Sequence, residues 1–181
     1  MAIIVVAMVL GIGALWIANI EPVATGPERY GVSGHGLHVT TRKIDALGVT
    51  GTVQTVPMRP DMTFRYRFSI ENTGGLPITV VDAGSHERQG ITTTLVSANP
   101  ALDTPGGPGT FGPFAPFRLP PGQAAALTMQ VHVPADACYA PDSYAVWYEE
   151  PLIYRVLGIT RHAEVSTGTE IRLGGTDATA C

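Results

Sequence analysis

Strict alternation of apolar and polar positions marks the middle of the chain. From Met62 to Asn72 (MTFRYRFSIEN), Phe64, Tyr66, Phe68 and Ile70 alternate with Arg65, Arg67, Ser69 and Glu71. Successive side chains of a strand point to opposite faces, so this pattern predicts a half-buried strand with its aromatic row inward. Thr73-Gly74-Gly75-Leu76-Pro77 reads as a turn and Ile78–Asp82 (ITVVD) as the next strand. Gly90–Ser97 is rich in β-branched residues, and Ala124–Val133 alternates again through Leu127, Met129, Val131 and Val133. Ser143–Glu149 and Leu152–Ile159 are two further strands separated at Pro151, and Thr169–Leu173 is the last. Leu37–Thr41 and Val49–Val56 are weaker candidates. About seven to nine short strands between Gly/Pro turns, with no stretch of helical period, predict an all-β fold, an antiparallel β-sandwich.

A different pattern opens the chain. Ala2–Ile20 (AIIVVAMVLGIGALWIANI) is 19 residues without a charge, ended by Glu21 and Pro22. As a helix it spans about 28 Å, close to the ~30 Å hydrocarbon core of a bilayer. Trp16 suits the interfacial belt, and Gly11, Gly13 and Ala14 are small enough for close helix packing. The competing readings are a cleaved signal peptide and a buried helix. The run exceeds a typical signal core and no clear A-x-A site follows it, which favours an uncleaved transmembrane anchor. No Lys or Arg precedes it, so flanking charge does not set its orientation. The expected organisation is an anchor over 1–20, a short stalk over 21–32 (Pro22, Gly26, Pro27, Gly31) and an extracytoplasmic sandwich domain over 33–181.

Composition narrows the function classes. The 181 residues hold 21 Gly and 15 Pro, which a helical bundle could not accommodate. Lys and Arg number 11 against 15 Asp and Glu, a net charge of −4, so there is no basic surplus for nucleic acid. The length allows one domain. Two cysteines, Cys138 and Cys181, behind a secretory-type segment read as one disulfide. In the chain-entropy picture such a bridge stabilises by roughly 4 kcal/mol and pins the Gly- and Ala-rich tail. The other reading is a pair of unpaired thiols.

Asn99–Gly122 holds seven Pro and five Gly in 24 residues. Phe111, Phe114 and Phe117 recur every third residue, the period of polyproline II, so the rings share a face if that helix forms. They serve either as an aromatic ridge for a partner or the membrane interface, or as a cover folded over an open edge of the sandwich.

Signals for chemistry are sparse. His35 and His38 are three apart, with no Cys or carboxylate nearby to complete a metal set. Met129 and His132, with Met58 and Met62, are soft donors of the kind copper takes, yet Met129 and His132 point oppositely on a strand. The adjacent Glu149 and Glu150 also diverge. Asp136 and Asp142 flank Cys138 without a calcium-type ligand array. No serine sits in a nucleophile elbow, and there is no phosphate-binding Gly loop.

The strings YRFSIENTGGLPITVVDAG (66–84), FAPFRLPPGQAAALTMQVHV (114–133), a following Cys and LIYRVLGITRHAEV (152–165) carry a resemblance. Over Thr63 to Leu173 the chain resembles a group of small membrane-anchored or secreted actinobacterial proteins. Ten Arg against one Lys, with abundant Ala, Gly and Pro, agree with a GC-rich genome. The resemblance implies an immunoglobulin-like domain and supplies no catalytic residues.

Together these readings lead to an expected role. It is a single-pass protein of the cell membrane, with its C-terminal domain extracytoplasmic. It acts without catalysis or cofactor as a binding module or accessory subunit for other membrane or envelope proteins, and touches the lipid bilayer through its leading helix. The alternative is an envelope carrier of copper or a small ligand.

Overall fold

In the computed structural model the described residues are 21–28, 31–34, 37–46, 49–84, 86–88, 91–100, 111–137, 140 and 142–174. The strands are β1 (Val23–Thr25), β2 (Val32–Ser33), β3 (Thr40–Ala46), β4 (Val49–Val56), β5 (Thr63–Asn72), β6 (Ile78–Asp82) and β7 (His86–Arg88). They continue with β8 (Ile91–Asn99), β9 (Gly112–Pro113), β10 (Phe117–Leu119), β11 (Ala124–His132), β12 (Tyr144–Val156) and β13 (Ile159–Gly174). The fold is all-β. Among the described residues no helix is long and apolar enough to cross a membrane. The run Ala2–Ile20, with Gly11, Gly13 and Trp16, lies outside them.

Two sheets form a sandwich-like pair. One runs β1-β5-β11-β8-β7, with β2 also on β5 and β9 also on β8; the other runs β10-β6-β12-β13-β4-β3. The alternation in β5 does what its period requires. Phe64, Tyr66, Phe68 and Ile70 are buried, and they share one apolar cluster with Leu127, Met129 and Val131 of β11. Trp147, Leu152 and Tyr154 of β12 and Ile171 and Leu173 of β13 meet them from the second sheet.

Three features depart from the sequence expectation. First, the ladders are not all antiparallel, because β13 pairs with β4 in parallel, Glu170 to Leu173 beside Val53 to Val56. Second, the stretch expected as a stalk supplies β1 and β2, which both lie on β5. Pro22 and Val23 are buried, the Gly26 N–H donates to the Ser69 carbonyl at 2.8 Å, and the Thr73 N–H donates to the Pro22 carbonyl at 2.8 Å. Strands this short are too brief to display a period. Third, Pro151 does not divide a strand. It sits inside the 13-residue β12, just beyond Ile153 where pairing with β6 ends, and Gly84 packs against its ring. A strand tolerates proline where one neighbour has stopped pairing.

The real break in that region is the turn Leu157-Gly158, with φ of 50° and 81°, which joins β12 to β13. Two positive φ values match the twist of a two-residue hairpin. Farther along the hairpin β13 bulges. Trp147 pairs with Ile171 and Glu149 with Ser166, so residues 167–170 of β13 lie opposite Tyr148 alone. Gly168 at φ 70° permits the excursion, and Thr167 Oγ1 donates to the Thr169 carbonyl at 2.7 Å and lies 3.2 Å from that of Tyr148. Beside the bulge Thr25 Oγ1 donates to the Ser166 carbonyl, joining β1 of one sheet to β13 of the other.

Asn72 organises one end of the molecule. Fully buried at the end of β5, its side-chain amide donates to the carbonyls of Leu76 and Leu119, both at 2.9 Å, and its Oδ1 accepts from the Gly74 N–H at 3.1 Å. The β5–β6 turn and the end of β10 are thereby fixed to one strand end.

Candidate functional site

The Pro/Gly segment straps one side of the sandwich. β9 pairs with β8 of the first sheet and β10 with β6 of the second, so residues 112–119 cross between the layers. Proline suits such edge positions because it has no N–H to donate. Phe114 and Phe117 are half-buried against the core and meet edge-to-face, with centroids 6.4 Å apart and planes at 76°. The Phe114 N–H donates to the Val96 carbonyl at 3.1 Å. Phe111 is half-buried elsewhere: the Arg67 guanidinium carbon lies 4.2 Å from its ring centroid, a cation–π arrangement. Arg67 alternates with the inward Tyr66 and Phe68, so Phe111 lies on the outer face of the first sheet. The rings are thus divided between the edge and that face.

Among the described residues, the large exposed apolar and aromatic side chains fall into two groups. Tyr144 and Tyr148 on β12 are 39% and 56% exposed. With Val146 between them they leave the outer face of the second sheet, since Ala145 and Trp147 point inward. The Arg172 guanidinium carbon is 5.9 Å from the Tyr144 ring centroid, and Arg172 is also ion-paired with Glu170. The other group is Leu157 and Ile159 at the β12–β13 turn, with Leu76 in the adjoining β5–β6 turn. The sequence reading singled out neither group. The Tyr pair had a signal in the Tyr144-x-x-x-Tyr148 spacing of an alternating strand, and the bulge opposite Tyr148 accounts for its high exposure.

The donor residues weighed for metal chemistry do not converge. Met129 is fully buried and His132 exposed on opposite faces of β11; the His132 ring Nδ1 lies 3.4 Å from Thr63 Oγ1. Met58 is buried, and Met62 Sδ accepts from the Arg59 N–H. His38 is exposed, while His35 lies outside the described residues. Among the described residues no group of three His, Cys, Asp or Glu is placed to hold a metal ion. Glu149 is exposed and Glu150 buried, so the adjacent carboxylates form no pair. Cys138 and Cys181 both lie outside the described residues. An open depression of about 310 Å³ is lined by Ser33, Gly34, Thr63, Phe64, Arg65 and Gln130. Arg65 donates from Nε and Nη2 to Gln130 Oε1 across its floor. Among the described residues that line it, the hydroxyls of Ser33 and Thr63 are the nucleophilic groups and there is no carboxylate.

No family profile matches the chain, and no curated protein matches it. Among solved structures it is similar to the Vibrio cholerae VesB protease, at 14% identity and a TM-score of 0.36. That match covers 75% of this chain and only 31% of the protease.

Proposed function

We propose that this chain is a membrane-tethered, extracytoplasmic contact protein. Its immunoglobulin-like sandwich serves as a binding module or accessory subunit for other membrane or envelope proteins and performs no chemistry of its own. The observation that carries this reading is the exposed pair Tyr144 and Tyr148 on one sheet face, with Arg172 laid over the first ring. Tyr and Arg are enriched where proteins meet. Their large, rather rigid side chains bury much area for little lost rotamer freedom, and they offer polar tips to a partner. A sheet face also holds such groups more firmly than a loop does.

Ala2–Ile20 supplies the tether in this reading. Holding the sandwich at the membrane raises its effective concentration toward neighbours there, so a modest patch suffices for association. The test uses the full chain in its native membrane, with a photo-crosslinking residue at Tyr148 and, as control, at Thr92 on the first sheet. A discrete adduct at Tyr148 alone, lost with Tyr144→Ser, supports the reading. A chain that crosslinks to nothing at Tyr148 and extracts as a lone monomer overturns it.

A further inference from the structure

The end at which the chain enters the sandwich carries the second apolar group. Five large hydrophobic residues are exposed among those described, and Leu76 (37%), Leu157 (63%) and Ile159 (51%) lie together there. The register places them. Ile78 pairs with Val156, so the β5–β6 turn carrying Leu76 adjoins the β12–β13 turn carrying Leu157 and Ile159. Pro22 adjoins the same β5–β6 turn. Its carbonyl accepts from the Thr73 N–H, and a Cβ on Gly74 would come within 2.5 Å of its own Cβ. Traced backwards, β1 heads toward this end, from Thr25 beside Ser166 to Glu21 near the Tyr154–Arg161 pair.

Two further observations bear on what the patch is suited to. Leu157 occupies a left-handed turn position that Asn, Asp or Gly adopts at less cost. Exposed as it is, its side chain recovers little of that cost within the sandwich. Beside it, on the outer face of the second sheet, Arg118, Thr79 and Arg155 are direct cross-strand neighbours, and both arginines are exposed. The acidic Glu71 at this end points out from the other sheet.

We propose that this end rests on an anionic bilayer surface. Leu76, Leu157 and Ile159 enter the boundary between headgroups and acyl chains, while Arg118 and Arg155 meet lipid phosphates. The proposal depends on Ala2–Ile20 being a retained membrane anchor. Given that anchor, only Glu21 and Pro22 separate it from β1, a reach of about 7–10 Å, so the sandwich has no slack with which to stand away from the lipid. An apolar rim flanked by basic residues is the chemistry that such an interface accepts.

The test reconstitutes the full chain in vesicles of equal parts phosphatidylglycerol and phosphatidylcholine with brominated acyl chains. Leu157→Trp and Tyr148→Trp are each compared with the parent, whose Trp16 and Trp147 give a common background. The added emission is expected to fall about twofold or more for Leu157→Trp and to stay unquenched for Tyr148→Trp. Joint Arg118→Glu and Arg155→Glu substitution is expected to weaken the quenching at Leu157→Trp. Ile159→Trp replaces Leu157→Trp should the latter misfold. Absent or equal quenching in a chain that resists alkaline extraction overturns the docking and leaves the tether reading standing. Blue-shifted but unquenched emission assigns the patch to a second copy of the chain and also overturns it. Loss of the chain on alkaline extraction overturns the tether reading itself.

Discussion

The Tyr66 hydroxyl donates to Oε1 of Glu150 across the interior, linking β5 of one sheet to β12 of the other. Both residues are fully buried. A carboxyl group held in an apolar core depends on its hydrogen bonds, because the cost of taking it out of water is offset only by the bonds it makes. Tyr66→Phe is therefore expected to lower stability by about 1–3 kcal/mol, read as a shift of the urea midpoint with unchanged slope. Combining it with Glu150→Leu should cost less than the sum of the single changes, since both remove the same hydrogen bond. Strict additivity would count against the pair.

Tyr154 sets a limit on the alkaline side. Burial pushes its hydroxyl above the ordinary range, Arg161 pulls it back and Glu21 adds to the rise. The folded state thus holds this proton more tightly than the unfolded chain does. The stability it contributes is complete below the unfolded value near pH 10 and is lost as pH rises through the higher folded value. Thermal unfolding midpoints should decline above about pH 10 and decline less steeply for Tyr154→Phe. Identical alkaline slopes for the two proteins would refute the assignment.

Phe114 and Phe117 close the side of the sandwich, whereas Phe111 covers Arg67. Phe117→Ser is expected to destabilise by about 2 kcal/mol, less than truncation of a fully buried Phe because the ring is only half-covered. Phe111→Ser should cost about 1 kcal/mol or less. Chemical unfolding of the two variants tests this. The reverse order, or intact stability accompanied by lost association, would return these rings to the role of a partner ridge.

Leu157→Asn should stabilise the chain in detergent by about 1 kcal/mol, because Asn tolerates the left-handed turn at lower steric cost. The same change should weaken contact with anionic vesicles. Such opposition between stability and function is common where a residue is kept for its surface role. A destabilised Leu157→Asn protein in detergent would show that the leucine packs at home.

Much of the fold was readable because alternation is a direct image of half-burial. Thr63–Asn72, Ile78–Asp82 and Ala124–His132 match their patterns to within a residue or so; the two faces alternate in most of Thr63–Asn72, whereas Ala124–Met129 is buried on both faces. The pattern of Leu152–Ile159 predicts strand straight through Leu157-Gly158 because leucine seldom occupies a left-handed turn, and only the pairing geometry discloses the reversal. Val23–Thr25 was hidden by its brevity, and the parallel β4–β13 ladder by its separation in sequence. The surface group around Tyr144 and Tyr148 was less legible still. An outward tyrosine on a strand looks the same in sequence whether or not a neighbouring bulge lays it bare.

β13 is the last described strand to leave the ribosome, yet it fills a slot between β12 and β4, and Val53 must wait for Glu170. Until then the nascent protein keeps β4 without its inner neighbour and β12 with one open edge. Completion of the second sheet therefore waits until β13, as far as Gly174, has been synthesised. Premature termination before Ile159 leaves a species with two raw β edges, ready for chaperone capture or degradation.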